Sequence, residues 1–560
     1  MTSRDPSRAK PSPLGYALLL SLVPLSALLV GLVASQRADP DLWGRLSVGA
    51  VLFRAGSLPI VDDFSYTASA TRWIDHEWGS GVVFYAVLAA AGEPGLLILK
   101  YAAAAAALWL VFAAHRGVGA PPGLSAVVLL LLVPGLLSGY VSTLRAQVFS
   151  FAFFLLGLLV LERVRLSRWR PAALLALVPL CALWGNLHGG FVMGVLAIGL
   201  YGVAEAALAR PRAAALHLGL ALACLGTVGL ANPYGRDYLA FLVHAWTLDR
   251  TGVMEWLPLL SGPWSAGQLY LSGLTLLAAV LASLAAARAL RRRSEADALA
   301  PALVLLLLVA MTLRARRIHT FLVLTLAFYL PVLLPQLRTL RLPSLRRGAR
   351  ALPWAAALAA CAAAAAALAF GLPRRPVLHT FVAGEYSRGV PAHHRYPVGA
   401  VRYLRESPHG GRLLNPFTPG QFLYWTLYPR FRVAIDGRYE EVYRREQFRA
   451  VQAFYSRALA QRPSALLALA EHSRADFVLF RSRDPGLDVL TGSRAWKLAY
   501  DDGTWALAAR RKRLGRDAPT RTAQPVRRWP TIGSFFSEAD RARFASYPRS
   551  EAQRATPGVR

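Results

Sequence analysis

The chain has 560 residues, 55% of them hydrophobic, with a mean hydropathy of +0.38 and a formal net charge of +32. Apolar stretches near the length of a bilayer crossing recur from residue 14 to about residue 372, which excludes an ordinary soluble protein. The positive surplus does not indicate nucleic acid, because most of it is Arg in loops between apolar segments, where it signals topology.

The N-terminal stretch carries Arg4, Arg8 and Lys10 ahead of an apolar run, so it is expected inside, with 14–34 as a retained first span. Basic loops at 162–170, 209–213, 288–293 and 337–350 are also expected inside. Counting every apolar segment before 162–170 as a crossing would put that Arg cluster outside. The segment to drop is 78–92, which as a helix reaches only about 22 Å of the roughly 30 Å hydrocarbon core. It is expected to lie along the outer surface. The remaining crossings are 14–34, 95–114, 124–141, 147–161, 171–187, 191–208, 213–231, 266–287, 298–313, 318–335 and 351–372, about eleven, with boundaries good to a few residues. The cysteines Cys181, Cys224 and Cys361 all fall inside apolar segments and define no disulfide framework.

This parity places the unusual polar residues on one side, the outer face. The first outer loop, 35–94, is rich in acids: Asp39, Asp41, Asp62, Asp63, Asp75 and Glu77, with His76 among them. Within it, "DLWGRLSVGAVLFRAG" reads as an amphipathic interfacial helix with Asp41 near its N-cap. A carboxylate at a membrane surface suits a general base that deprotonates an acceptor hydroxyl or amine. Several carboxylates with His76 are also candidates to hold a divalent cation, although no ligand spacing is diagnostic. Arg314, Arg316, Arg317 and His319 in "LRARRIHTF" stand outside against the positive-inside trend. Guanidinium forks match phosphate oxygens, so these residues and Arg145 are candidate phosphate contacts, with headgroup snorkelling as the plain alternative. In "WGNLHGGF", His188 ends a span beside two glycines, as a helix cap or a cavity-facing group.

From Leu372 onward the composition changes to that of a soluble domain. "GRLLNPFTPGQFLYWTLYPRFRVAIDGRYEEVYRREQF" reads strand, turn, strand, short hairpin, strand, helix. "RADFVLFRS" and "WKLAYDDGTWALAAR" supply further strands. Asp436 and Arg438 form a candidate site there, or equally a salt-bridged turn. The expected organisation is a membrane module over 1–372, an α/β extracytoplasmic domain over 373–510, and a basic, partly disordered tail over 511–560 that suits anionic lipid headgroups. No P-loop and no strand–GxGxxG–helix unit is present, so no nucleotide cofactor is expected and an activated substrate must supply the energy on the outer side.

An inside N-terminus, one span, an acidic outer loop with two juxtamembrane helices and a many-span bundle resemble the GT-C glycosyltransferases, which use polyprenyl-phosphate-linked sugars. The stretch from "DPDLWGRL" to "HEWGSGVVFYAV", with "RAQVFSFAFF", "WGNLHGGFVMG" and "NPFTPGQFLYWTLYPRFRVAIDGR", looks like a bacterial, largely uncharacterised subgroup, and the similarity covers most of the chain. The resemblance implies an α-helical polytopic membrane protein with a GT-C-like bundle. It also implies an inverting transferase in a bacterial inner membrane, with its C-terminal domain periplasmic or extracellular. Asp41, with Asp39 beside it, maps to the essential carboxylate, and Glu77 to a metal or acceptor ligand; Asp62, Asp63, His76 and His188 are further acceptor or metal candidates. The acceptor would be a glycan, a lipid or a protein. "DPD" replaces the Asp-Glu pair common in mannosyltransferases, and the Trp-Trp-Asp motif of oligosaccharyltransferases is missing. A lipid-linked glycan polymerase or ligase is the neighbouring reading. A flippase or envelope scaffold is the rival, although no internal repeat of the transporter kind is visible.

Overall fold

A computed structural model describes residues 39–68, 72–121, 123–126, 128–129, 144–248, 254–261, 264–334, 396–514, 520–523 and 532–548. The expected crossings 14–34 and 351–372, most of 124–141, and the basic loop 337–350 lie outside the described residues. The chain divides into two compact units. One holds the described parts of Ile98–Val141 and Ala146–Val377; the other holds those of Gln36–Leu97, Ser142–Arg145 and Leu378–Arg560.

Among the described residues six helices are long and apolar enough to cross a membrane: Trp78–Gly117, Gln147–Arg165, Pro211–Ala231, Ala266–Arg291, Ala296–Arg314 and Arg316–Leu333. Pro171–Leu187 and Phe191–Ala207 are shorter apolar helices. Each remaining expected crossing falls on one of these, and the protein is a multi-pass membrane protein. Ala266–Arg291 shows how such a helix works in lipid. Its small residues Ala278, Ala282, Ala285 and Ala289 are buried at helical spacing, whereas Leu276, Val280 and Leu290 are exposed. Small side chains let backbones approach, and large apolar ones are left for the acyl chains.

The run Trp78–Gly117 is two helices joined at Gly92, whose φ of 62° and ψ of −161° no α-helix contains. "AAAGEPG" supplies the cause: a Gly that accepts positive φ, followed by Pro94, which lacks an N–H and disfavours helical geometry just before it. The break falls where the sequence separates 78–92 from 95–114.

The other unit is built on a six-stranded sheet with β1 Gly411–Leu414, β2 Phe431–Val433, β3 Phe477–Arg481, β4 Trp496–Asp501, β5 Trp505–Arg510 and β6 Arg521–Thr522. Its order is β2-β1-β3-β5-β4-β6, with β1 parallel to β2 and β3, and β5 antiparallel to both β3 and β4. Beyond β2 the acidic loop continues the ladder: Tyr66 N donates to Val433 O at 3.0 Å and Val433 N to Phe64 O at 3.0 Å. The expected strand "QFLYWTL" is instead the helix Gly420–Leu427, buried along its whole length. Aromatic richness favours strand on propensity alone, but packing overrides it. Here Phe422 and Trp425 close around Trp43, at ring-centroid distances of 5.2 and 6.3 Å. Part of the expected tail is also folded. Phe535, Phe544 and Tyr547 are buried, and Phe544 lies 4.9 Å from Trp425.

Helix Pro40–Ala55 has its signals in place: Asp39 as N-cap, Pro40 at the first turn, and Gly56 at φ 74° closing the C-terminus onto Leu52 O. It is not the amphipathic surface helix expected, for Leu42 through Val51 are all buried. It crosses the helix beginning at Trp78 through two glycines. A Cβ on Gly81 would lie 2.5 Å from Arg45 O, and one on Gly49 would lie 2.6 Å from Gly81 O. Backbone cannot yield as a side chain can, so Gly81→Ala is expected to destabilise this unit by about 1–3 kcal/mol. Thermal unfolding of the detergent-solubilised protein measures it; an unchanged melting temperature would show that the helices are free to separate.

Candidate functional site

The unit containing the acidic loop holds most of the sequence-derived site residues, and their surroundings differ sharply. Asp39, and not Asp41, is the helix cap: its Oδ1 accepts from Asp41 N at 3.0 Å. Its other oxygen forms an ion pair with Arg145 Nε at 2.8 Å, and its side chain is only 3% exposed. Asp41 stands one residue into the helix. Arg145 Nε is 3.6 Å from its carboxylate, and the side chain is 37% exposed. A helix start favours a carboxylate electrostatically, since the first-turn N–H groups and the dipole both point at it.

The floor beneath Asp41 comes from the far end of the chain. Gln421 Oε1 accepts from Gly44 N at 3.2 Å. A Cβ on Gly437 would lie 2.6 Å from Gln421 Nε2 and 3.1 Å from Asp41 Oδ1. The turn after β2 therefore passes close under the carboxylate. Neither Gln421 nor Gly437 stood out in the sequence; the one signal was "DGR", a turn tripeptide following a strand.

The other acids of the loop are held in ion pairs. Asp62 and Asp436 clasp the guanidinium of Arg438, which donates to Asp436 at 2.8 and 2.6 Å and also reaches Asp62. That guanidinium lies over Trp73, Tyr424 and Phe64, with centroid distances of 4.7, 5.1 and 5.3 Å. Burial alone would lower its pKa, but Asp436 and Asp62 raise it well above the ordinary value. Asp436 and Arg438 thus form the buried centre of a polar cluster. Asp63 receives Arg432 on both oxygens at 2.8 Å, and Tyr428 donates to it at 2.8 Å. Asp75 pairs with Arg45, whose Nε lies 3.6 Å from Glu77.

His76 lies between two carboxylates, Glu441 at 3.2 Å and Glu77 at 3.5 Å. Burial lowers its pKa, but Glu441, then Glu77 and Asp75, outweigh burial and the net shift is upward from 6.5. A raised folded-state pKa stabilises the protein below the unfolded value, and the gain disappears as pH rises through the folded one. The melting-temperature advantage of wild type over His76→Gln is therefore expected to be largest below about pH 6.5 and to shrink as pH increases above it. An advantage that grows with pH would show that His76 is held neutral.

In the membrane unit Arg317 is paired with Glu255 and lies 5.4 Å over the ring of Trp256, and the Gln147 amide oxygen accepts from its Nε at 3.2 Å. Arg316 Nε donates to Pro258 O at 3.1 Å, His319 Nδ1 meets Arg316 O at 2.5 Å, and Arg314 is exposed. His188 ends the helix Leu177–Leu187. Its Nδ1 accepts from Gly190 N at 2.8 Å and bonds Ser150 Oγ at 2.7 Å, which fixes the neutral tautomer with its proton on Nε2. Arg145 belongs to the loop-containing unit. Among the described residues no group of three or more His, Cys, Asp or Glu side chains is placed to hold a metal ion.

No family model matches the chain, and no curated protein does. Solved structures do. The archaeal oligosaccharyltransferase AglB from Archaeoglobus fulgidus, in complex with an inhibitory peptide and a dolichol-phosphate, superposes with a TM-score of 0.53 at 13% identity, covering 83% of this chain and 69% of that one. The apo form of the Archaeoglobus fulgidus oligosaccharyltransferase gives 0.52 at 12% identity, covering 84% and 70%. At such identities the likeness is one of fold.

Proposed function

For a chain that has the GT-C fold, we propose the activity of a membrane glycosyltransferase. It moves a sugar from a polyprenyl-phosphate carrier to a glycan, lipid or protein acceptor on the outer face, with Asp41 as the base. The observation that carries this reading is the contrast among the loop's acids. Asp41 is 37% exposed at a helix start, whereas Asp39, Asp62, Asp75 and Glu77 are between 0% and 13% exposed and Asp63 is 25% exposed in a bidentate pair. Of these carboxylates, Asp41 is the one most accessible to a substrate.

In the proposed step Asp41 takes the proton from the acceptor hydroxyl or amine. The acceptor atom bonds to the anomeric carbon from the face opposite the carrier, so configuration inverts. The bond from that carbon to the phosphate oxygen breaks, and the carrier phosphate leaves with the electron pair. Arg145, at 3.6 Å from Asp41 and 2.8 Å from Asp39, stands beside the proposed base. Arg314, Arg316, Arg317 and His319 are assigned to the donor phosphate as a separate proposal for the membrane unit. No step is routed through a metal. Mass spectrometry of envelope glycans and lipid-linked saccharides tests the reading. Deletion is expected to remove one glycan species while its lipid-linked precursor accumulates. Unchanged pools of both would overturn it.

A further inference from the structure

We propose that a second site, in the cavity between helix Val398–Glu406, the start of β2 and the C-terminal segment 534–543, binds a small polar ligand carrying an anionic group, either a phosphate or a carboxylate on a sugar-sized body. The cavity measures about 430 Å³. That lies within the range of small-molecule sites.

Arg405, Arg430 and Arg543 converge on it from three separate stretches of chain, with Ser534 and Ser537 on the same wall. Among the described residues the only carboxylate in the lining is Asp540, and it is shared: Arg405 Nη2 donates to it at 2.7 Å and Arg543 Nη2 at 2.9 Å. Three guanidinium groups against one carboxylate leave the lining positive.

The arginines are also pre-oriented. Arg405 Nε and Arg543 Nη1 both donate to Thr426 O, at 3.0 and 2.7 Å, and Arg430 Nη1 donates to Arg405 O at 2.9 Å. Carbonyls fix these planes but supply no countercharge. Burial and then the neighbouring Arg405 lower the pKa of Arg543 to about 10, so at neutral pH it stays charged in a crowded positive setting that an anion would relieve. Planar forks held in place suit phosphate or carboxylate oxygens, and the cavity volume suits a sugar-sized body behind them. Asp41 contributes nothing to this lining, so the site is independent of the transfer reading.

The test is calorimetric titration of the full chain in detergent with glucose 6-phosphate, glucuronate and glucose. At least one acidic sugar should bind saturably while glucose does not; which one binds identifies the phosphate or the carboxylate as the recognised group. Arg430→Gln, at an exposed position, and Arg405→Gln should each weaken that binding by roughly tenfold or more. Should Arg405→Gln fail to fold, Arg430→Gln decides alone. Asp41→Asn should bind as wild type does. No saturable binding of either acidic sugar up to about 10 mM, equal binding of glucose, unchanged affinity in the folded arginine variants, or loss of binding in Asp41→Asn would each overturn the proposal.

Discussion

Replacing Asp41 by Asn is expected to lower sugar transfer by about a hundredfold to ten-thousandfold, the usual loss when a general base is removed. The amide keeps the shape of the side chain but cannot take the acceptor's proton. Because Asp39 holds the cap and Asp41 is 37% exposed, folding should be untouched. Asp39→Ala should behave in the opposite way in stability, losing about 1 kcal/mol from the uncapped helix. Paired assays of transfer and thermal unfolding separate the two residues. Normal transfer by Asp41→Asn would remove it from the chemistry.

The second large effect is expected at Arg438. Arg438→Met leaves Asp62 and Asp436 buried without their cation, a situation that typically destabilises by about 3–5 kcal/mol. The aromatic rings of Phe64, Trp73 and Tyr424 lose the guanidinium at the same time. The loop-containing unit should therefore unfold or become open to protease at temperatures where wild type is intact. Arg438→Lys should fall between, since an ammonium carries the charge but cannot bond both oxygens of Asp436 as the fork does. A melting temperature within a degree or two of wild type in Arg438→Met would contradict this cluster's role.

The sequence revealed what depends on neighbours along the chain. The apolar runs matched helices, length and charge parity set 78–92 apart from 95–114 where the chain breaks at Gly92, and "WKLAYDDGTWALAAR" carried the strands β4 and β5. "DPD" placed a helix start with acids at Asp39 and Asp41, although Pro40 identifies Asp39 as the cap, because proline favours the first helical position that follows a cap. What stayed hidden was set by distant partners. Asp62 and Asp63 looked like free acids of a loop, and nothing local announces Arg438 and Arg432, which lie 376 and 369 residues away. Gln421 was hidden for the same reason. Its position under Asp41 exists only once Gly437 and Gly44 approach it.

The ladder between Ser65 and β2 has a consequence for biogenesis. Phe64 and Val433 are joined by a backbone bond, yet the ribosome makes one long before the other. The 376 residues that separate Asp62 from Arg438 take about 20–75 s to synthesise at about 5–20 residues per second. Throughout that interval the acidic loop has been delivered without the strand that seats it or the arginines that neutralise it, so it waits hydrated and exposed to proteases. A nascent chain stalled before Phe431 should therefore carry a cleavable loop around Asp62, and one released after Arg438 should carry a protected one.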